Sequence, residues 1–399
     1  MWHFYCPNII YGEGALNFLE NLKEKRCFIV TDKVIDDLGY LKILTDKLAK
    51  YGKEYAVFNE VVPDPHEEDV IKGKDKCNKY SPDLIIALGG GSVIDTAKGI
   101  WVMYEYPEYT LDDINPFSAQ LYDFANKAKL IAIPTTSGTG SEVTWAAIIS
   151  RFENDVWRKM SLPHMSLVPT FAIVDPIFPK GMPPKLTVLT AFDALTHAIE
   201  GYTSTWRNEF SNALGLKAIE LIFKYLPIVF KEGNNIKARD FMHQASSMAG
   251  LSFGNSQAHL GHAMGHSLCG VFPIPHGQAV GLFLTYITQY CLNSPTEPNE
   301  SIEILSDIAK KLGWAKWDDQ PKKAAYTVIE KIKQLQKEVK FIPNLKELGI
   351  NKEEFDQNLG KMISLCYQDP SSVMGYRTPN KEEFTKLYEY AYEGKDIDF

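Results

Sequence analysis

The run Leu84-Ile-Ile-Ala-Leu88 passes directly into Gly89-Gly90-Gly91-Ser92 and then into Val93-Ile-Asp-Thr-Ala-Lys98, which reads as helix. A continuous apolar run of this length is the pattern of a strand buried on both faces. A strand that ends in a glycine turn and opens a helix is an anion site by construction. The glycines let the backbone come close, and unpaired N–H groups and the helix dipole face the ligand. The turn is neither GxGxxG nor a Walker A loop. A tight βα turn needing positive φ accounts for one glycine, whereas three in succession followed by a hydroxyl favour a diphosphate.

The same pattern surrounds this segment. Cys27–Thr31, Glu54–Phe58 and Leu130–Ile133 read as further strands, with helical stretches near Tyr40–Tyr51 and over Glu67–Lys79. Strands alternating with helices predict a parallel sheet with helices on both faces. Beyond Asp175-Pro-Ile-Phe-Pro-Lys-Gly-Met-Pro-Pro184 the periodicity becomes helical, as in the stripe Val328, Ile329, Ile332, Leu335 and Val339. The expected architecture is an α/β dinucleotide-binding domain over residues 1–184 and an all-α metal-binding and substrate domain over 185–399, with a small ligand in the cleft between them.

Composition narrows the classes of partner. Lys plus Arg number 42 against 50 Asp plus Glu, a net charge of −8, which argues against nucleic acid and anionic membrane as partners. There is no run of about 18 apolar residues, so no transmembrane helix is expected. The opening Met1-Trp-His-Phe-Tyr-Cys-Pro7 has neither the basic nor the apolar region of a signal peptide. Six scattered cysteines without a CxxC pair read as reduced thiols, and the expected location is cytoplasmic.

Three further features carry chemistry. Pro134-Thr-Thr-Ser-Gly-Thr-Gly-Ser-Glu-Val-Thr144 follows the strand at Leu130–Ile133 and is dense in hydroxyl donors, suited to a ribose, phosphate or carboxamide; a solvated turn with helix capping is the plainer reading. Asp32 ends the first of these strands, where an acid can accept from ribose hydroxyls and repel a 2′-phosphate, or simply start a helix. Asp193 and His197 share one helix face at i, i+4, and four histidines fall within His259–His276, with His262 and His266 again at i, i+4. A carboxylate and several imidazoles on two segments can build an open divalent-metal or acid/base site. Asp193, three residues after Thr190, also has capping-box spacing. His3, His66, His164 and His243 stand outside any cluster.

Together these motifs resemble the iron-containing (group III) alcohol dehydrogenases. The likeness rests on Gly89–Ser92, Pro134–Thr144, Phe192-Asp-Ala-Leu-Thr-His-Ala-Ile-Glu-Gly-Tyr-Thr-Ser204 and His262–Gly277, and runs from Phe4-Tyr-Cys-Pro7 to Leu387–Tyr392. It implies metal ligation by Asp193, His197, His262 and His276, usually of Fe²⁺ with Zn²⁺ or another divalent ion as alternatives. It places His266 beside the substrate as a proton relay and Gly89, Gly90, Gly91 and Ser92 on the pyrophosphate. Thr135, Thr136, Thr139 and Thr144 would line the cofactor loop, Lys159 would contact the cofactor, and Asp32 would favour NAD over NADP. His259, Cys269, Trp145-Ala146 and Ser371–Gly375 depart from the pattern or lie in variable pocket stretches; they bear on the substrate rather than on the chemistry.

The resemblance implies reversible hydride transfer between a small primary alcohol or diol and nicotinamide, with the metal polarising the substrate oxygen. A homodimer or higher homo-oligomer is expected. A dehydroquinate synthase-like metal/NAD lyase and a glycerol-type polyol dehydrogenase are the enzymatic alternatives. A nucleotide-sensing or assembly protein on this fold is the non-enzymatic one, which the intact ligand set opposes.

Overall fold

The computed structural model describes residues 3–122, 124–153 and 156–399; Met1 and Trp2 of the opening lie outside the described residues. The chain divides into two compact units, residues 1–182 and 183–399.

The first unit is built on a six-stranded parallel sheet in the order β1-β8-β5-β4-β2-β3. Its strands are β1 (Asn8–Tyr11), β2 (Arg26–Asp32), β3 (Glu54–Val61), β4 (Leu84–Gly89), β5 (Lys129–Pro134) and β8 (Phe171–Val174). Helices α1 (Lys33–Asp37), α2 (Tyr40–Lys50), α3 (Glu67–Tyr80) and α4 (Gly91–Glu105) connect the central strands. Alternation along the strands explains the continuous apolar runs. Phe28, Val30, Ile85 and Ala87 enter one core cluster, and Cys27, Ile29, Leu84, Ile86 and Leu88 enter another. A parallel sheet covered on both faces requires apolar residues at both parities.

Four strands had no clear pattern in the sequence. β1 and β8 have only four residues each. An antiparallel pair, β6 (Ala146–Glu153) with β7 (Val156–Pro163), forms a separate small sheet. β8 lies between β5 and β1, and so brings the N-terminal strand onto the sheet edge.

A buried lysine holds the loop that leads into β6. Lys98 of α4 is fully buried, and its ammonium donates to the carbonyls of Thr144 (2.8 Å) and Ala146 (2.7 Å) and to Ser141 Oγ (3.3 Å). One turn earlier, Asp95 accepts from Ser141 Oγ (2.5 Å) and from the Ile148 amide (3.0 Å). Burial pushes the Lys98 pKa down to about 8, against the opposing pull of Asp95 and Glu142.

In the second unit nine α-helices are found among the described residues: α5 (Pro184–Thr203), α6 (Glu209–Lys231), α7 (Ile236–Gly254), α8 (Leu260–Cys269), α9 (His276–Leu292), α10 (Glu300–Lys311), α11 (Pro321–Glu338), α12 (Lys352–Gln368) and α13 (Lys381–Glu393). α5 starts with proline at its first helical position, where the missing N–H costs nothing. It packs against α6, α7 and α9, and nearly all of it from Thr187 onward is buried. Along α11 the stripe Val328, Ile329, Ile332 and Leu335 faces the core.

Replacing Lys98 by Met would leave the Thr144 and Ala146 carbonyls without their donor. The cost should be about 1–3 kcal/mol per orphaned carbonyl, seen as a lower unfolding midpoint in urea. An unchanged midpoint would refute the pinning role.

Candidate metal centre and nucleotide loops

Within the second unit three helices direct side chains at one buried oxygen. Asp193 lies in the middle of α5 and so does not cap it. Its Oδ1 has His276 Nε2 at 3.4 Å, His197 Nε2 at 3.8 Å and His262 Nε2 at 3.9 Å. The ligand atoms of Asp193, His262 and His276 lie within 4.8 Å of one another. His197 joins this group through Asp193 and by stacking on His262, ring centroids 4.5 Å apart.

Asp193 Oδ1 and His262 Nε2 are both buried and make no hydrogen bond. A buried carboxylate oxygen without a donor is costly. Two such atoms facing each other, with imidazole nitrogens on either side, form the donor set of a divalent cation, and the residues fit one. Burial opposes charge on Asp193, but the surrounding imidazoles, His197 foremost, hold its carboxyl well below the usual range. Burial pushes His197 down to about 3, the form in which an imidazole can ligate.

The helix starts set this geometry. Pro275 immediately precedes α9 and His276 is its first residue. Gly277 then lies so close to α5 that a Cβ there would stand 2.2 Å from the Leu189 carbonyl oxygen. Only glycine lets α9 approach near enough to bring His276 onto Asp193.

His266 lies beside these groups, its ring 5.2 Å from that of His276 and stacked on it. Its Nδ1 is 2.7 Å from Asp369 Oδ2, while Asp369 Oδ1 accepts from the Ser371 amide at 2.8 Å. Burial raises the Asp369 pKa, but His266 and the Ser371 amide outweigh it and bring the value down to about 2.

In the first unit the glycine turn and the hydroxyl loop are adjacent, because Gly89 of β4 pairs with Pro134 of β5. A Cβ on Gly91 would lie 2.9 Å from Thr139, and one on Gly90 3.3 Å from Thr136. Gly90 caps α4 without a side chain, which leaves the helix start open, with Ser92 in its first turn. Thr135 donates its amide to Gly89 (3.0 Å), and Thr144 gives its carbonyl to Lys98. Asp32 Oδ1 accepts from the Ile35 amide (2.9 Å) and so caps α1. Lys159, on β7, pairs with Asp64 at 3.3 Å.

The iron-containing alcohol dehydrogenase model matches residues 6–176, and the C-terminal model of the Fe-containing alcohol dehydrogenases matches 187–392. The chain belongs to the iron-containing alcohol dehydrogenase family. It is an oxidoreductase, and the family implies a metal and a nicotinamide cofactor. It is 38% identical over 414 residues to the NADPH-dependent butanol dehydrogenase of Clostridium saccharobutylicum, covering 100% of both chains. It is 33% identical over 417 residues to the bifunctional aldehyde-alcohol dehydrogenase AdhE of Escherichia coli (strain K12), covering 99% of this chain but 47% of that protein. Among solved structures it is similar to a 1,3-propanediol oxidoreductase, with a TM-score of 0.88 and 28% identity over 98% of this chain and 100% of that one. An iron-containing alcohol dehydrogenase from Thermococcus thioreducens has the same TM-score, 0.88, with 30% identity over 99% and 100% of the two chains.

Within this iron-containing alcohol dehydrogenase, three residues take part that the motifs did not single out. Glu200 lies 2.6 Å from His262 Nδ1, Asp369 holds His266, and Lys98 fixes the loop at Thr144. Glu200 had a signal, since it follows Asp193 by seven and His197 by three on one helix face. Asp369 had none, standing 103 residues from its partner. His259 backs Glu200, with Nε2 2.7 Å from Thr203 Oγ1 and its amide donating to Glu200.

Two outcomes follow from this geometry. Gly277→Ala should push α9 off α5, lowering both the thermal midpoint and the bound metal measured by elemental analysis. Asp369 is depressed from the ordinary 3.8 to about 2, so its contribution to stability is complete above about pH 4 and is lost as pH falls through 2. The stability gap between the native protein and Asp369→Asn, read by denaturant titration, should therefore close over that window.

Proposed function

We propose that the enzyme is a metal-dependent, NAD(H)-linked alcohol dehydrogenase or aldehyde reductase acting on small primary alcohols or diols. The observation that carries the reading is the convergence of imidazole nitrogens on the undonated Asp193 Oδ1. Asp193, His197, His262 and His276 would hold the ion, with Fe²⁺ the family's implied metal. A divalent ion there supplies Lewis acidity, polarising an aldehyde oxygen or lowering the pKa of an alcohol.

The chain's own residues do the rest. His266, with Nδ1 engaged by Asp369, has Nε2 free to accept the alcohol proton or return it to an aldehyde. A fixed tautomer makes that nitrogen an acceptor before substrate arrives. In the first unit, the open start of α4 at Gly89, Gly90, Gly91 and Ser92 would bind the cofactor diphosphate through backbone N–H groups. Thr135, Thr136, Thr139 and Thr144 supply hydroxyls to the same loop, and Lys159 a cation. A nicotinamide cofactor held there would supply the hydride chemistry.

NAD is favoured over NADP because Asp32 would set a carboxylate beside the adenosine ribose, where a 2′-phosphate is repelled. The relative from Clostridium saccharobutylicum is NADPH-dependent, so the preference is a property to be measured on this chain. Asp32→Ser keeps a capping oxygen for Ile35 and removes the charge. It should raise kcat/KM for NADPH relative to NADH by about tenfold or more, about 1.4 kcal/mol, and an unchanged ratio would dismiss Asp32 as the discriminator.

The reading as a whole is tested by following NADH oxidation with a panel of short aldehydes and hydroxyaldehydes, alongside metal analysis. His262→Ala should lose both the metal and the activity. Full turnover by metal-free His262→Ala protein would sink the assignment.

A further inference from the structure

Glu200 is completely buried, and its carboxylate is met by two backbone amides and two imidazoles. Oε2 accepts from the His259 amide at 3.0 Å and lies 2.6 Å from His262 Nδ1. Oε1 accepts from the Gly261 amide at 2.5 Å and has His259 Nδ1 at 3.3 Å. Each oxygen of this carboxylate already accepts a backbone amide, the pairing that favours the ionised acid. An ionised carboxylate can only accept, so the proton in the contact with His262 belongs to Nδ1. Nε2 then carries the lone pair, and it is the atom that faces Asp193 Oδ1 with no hydrogen bond of its own.

Position 261 shows how tightly this is built. A Cβ on Gly261 would stand 2.7 Å from Glu200 Oε1. The residue lies inside α8, where alanine is the better helix former. Glycine there leaves room for the carboxylate.

We propose that Glu200 is the positioning residue of the metal centre. It locks His262 in the Nδ1–H tautomer with Nε2 turned to the ion, and it places a second negative charge behind the ligand set. The proposal rests on the reading of Asp193 and the three histidines as ligands. A carboxylate hydrogen-bonded to a ligating imidazole fixes the ring and raises its basicity, and removing such a partner commonly costs 10–100-fold in metal affinity. A role confined to capping α8 would instead alter stability and leave metal affinity unchanged.

The test uses the full chain loaded with Zn²⁺, titrated against a competing chelator. Glu200→Gln puts an amide N–H against the Gly261 amide or the His262 ring, and Gly261→Ala displaces the carboxylate without removing it. Each should weaken Zn²⁺ binding about 10–100-fold, although neither substitution removes a ligand atom. The rise in thermal midpoint on adding Zn²⁺ should shrink in step. In native Zn²⁺-loaded protein with ¹⁵N-labelled histidine, His262 should show an Nδ1 proton strongly shifted downfield by the short contact, whether or not the variants fold. Native Zn²⁺ affinity in both folded variants, or no such proton in the native spectrum, would overturn the proposal. Asp193→Ala is the control for the reading beneath it: if that variant binds Zn²⁺ like the native chain, the metal centre itself is misassigned.

Discussion

A carboxylate oxygen buried in the helical unit with nothing to donate to it is the constraint around which that unit is arranged. Asp193 sits at the centre of α5, packed on all sides, with imidazole nitrogens at 3.4–3.9 Å and no hydrogen bond to Oδ1. Left alone, such a group is among the more expensive features a core can contain. The proposed cation would resolve the cost, because it would turn an unpaired acceptor and the nitrogens around it into one coordinated set. Three helices bring these groups together: α5 supplies two side chains one turn apart, α8 a third, and the first residue of α9 a fourth.

Holding those groups still requires support from behind. Glu200 joins the start of α8 to α5 through three short contacts and carries His262 with it. Asp369 does the same for His266 while capping the turn that follows α12. In both cases an acid, fully buried at Glu200 and half-buried at Asp369, engages Nδ1 of a ring. The glycines at 261 and 277 mark where backbone or carboxylate comes too close for a side chain. Stability and function therefore draw on the same contacts, and a substitution at these positions disturbs both.

The α/β unit solves a different problem, that of presenting backbone donors. Its sheet is covered on both sides, so its strand ends are the places where polar backbone remains available. Gly91 sits against Thr139 without room for a Cβ, and Gly90 lies close to Thr136, so the two loops run side by side. Lys98 and Asp95 lie beneath them and tie the second loop to α4 by hydrogen bonds to Ser141, Thr144, Ala146 and Ile148. The small β6–β7 sheet grows from the end of that loop.

Much of this was legible in the amino acids alone. Apolar runs such as Leu84–Leu88, of strand length and ending in a glycine turn, identified the central strands, since a strand covered on both faces is apolar at every position. The i, i+4 pairs Asp193–His197 and His262–His266 were visible because helix geometry is local. Short strands such as β1, at the sheet edge, and β8, beside it, left little trace, their four residues being too few to show a period. What only the tertiary structure decided was which nitrogens meet which acids. Glu200 and His262 are 62 residues apart and His266 and Asp369 are 103 apart. No periodicity spans such distances, because those partners are chosen by how helices pack, and Gly261 and Gly277 state that choice only once the neighbouring atoms are known.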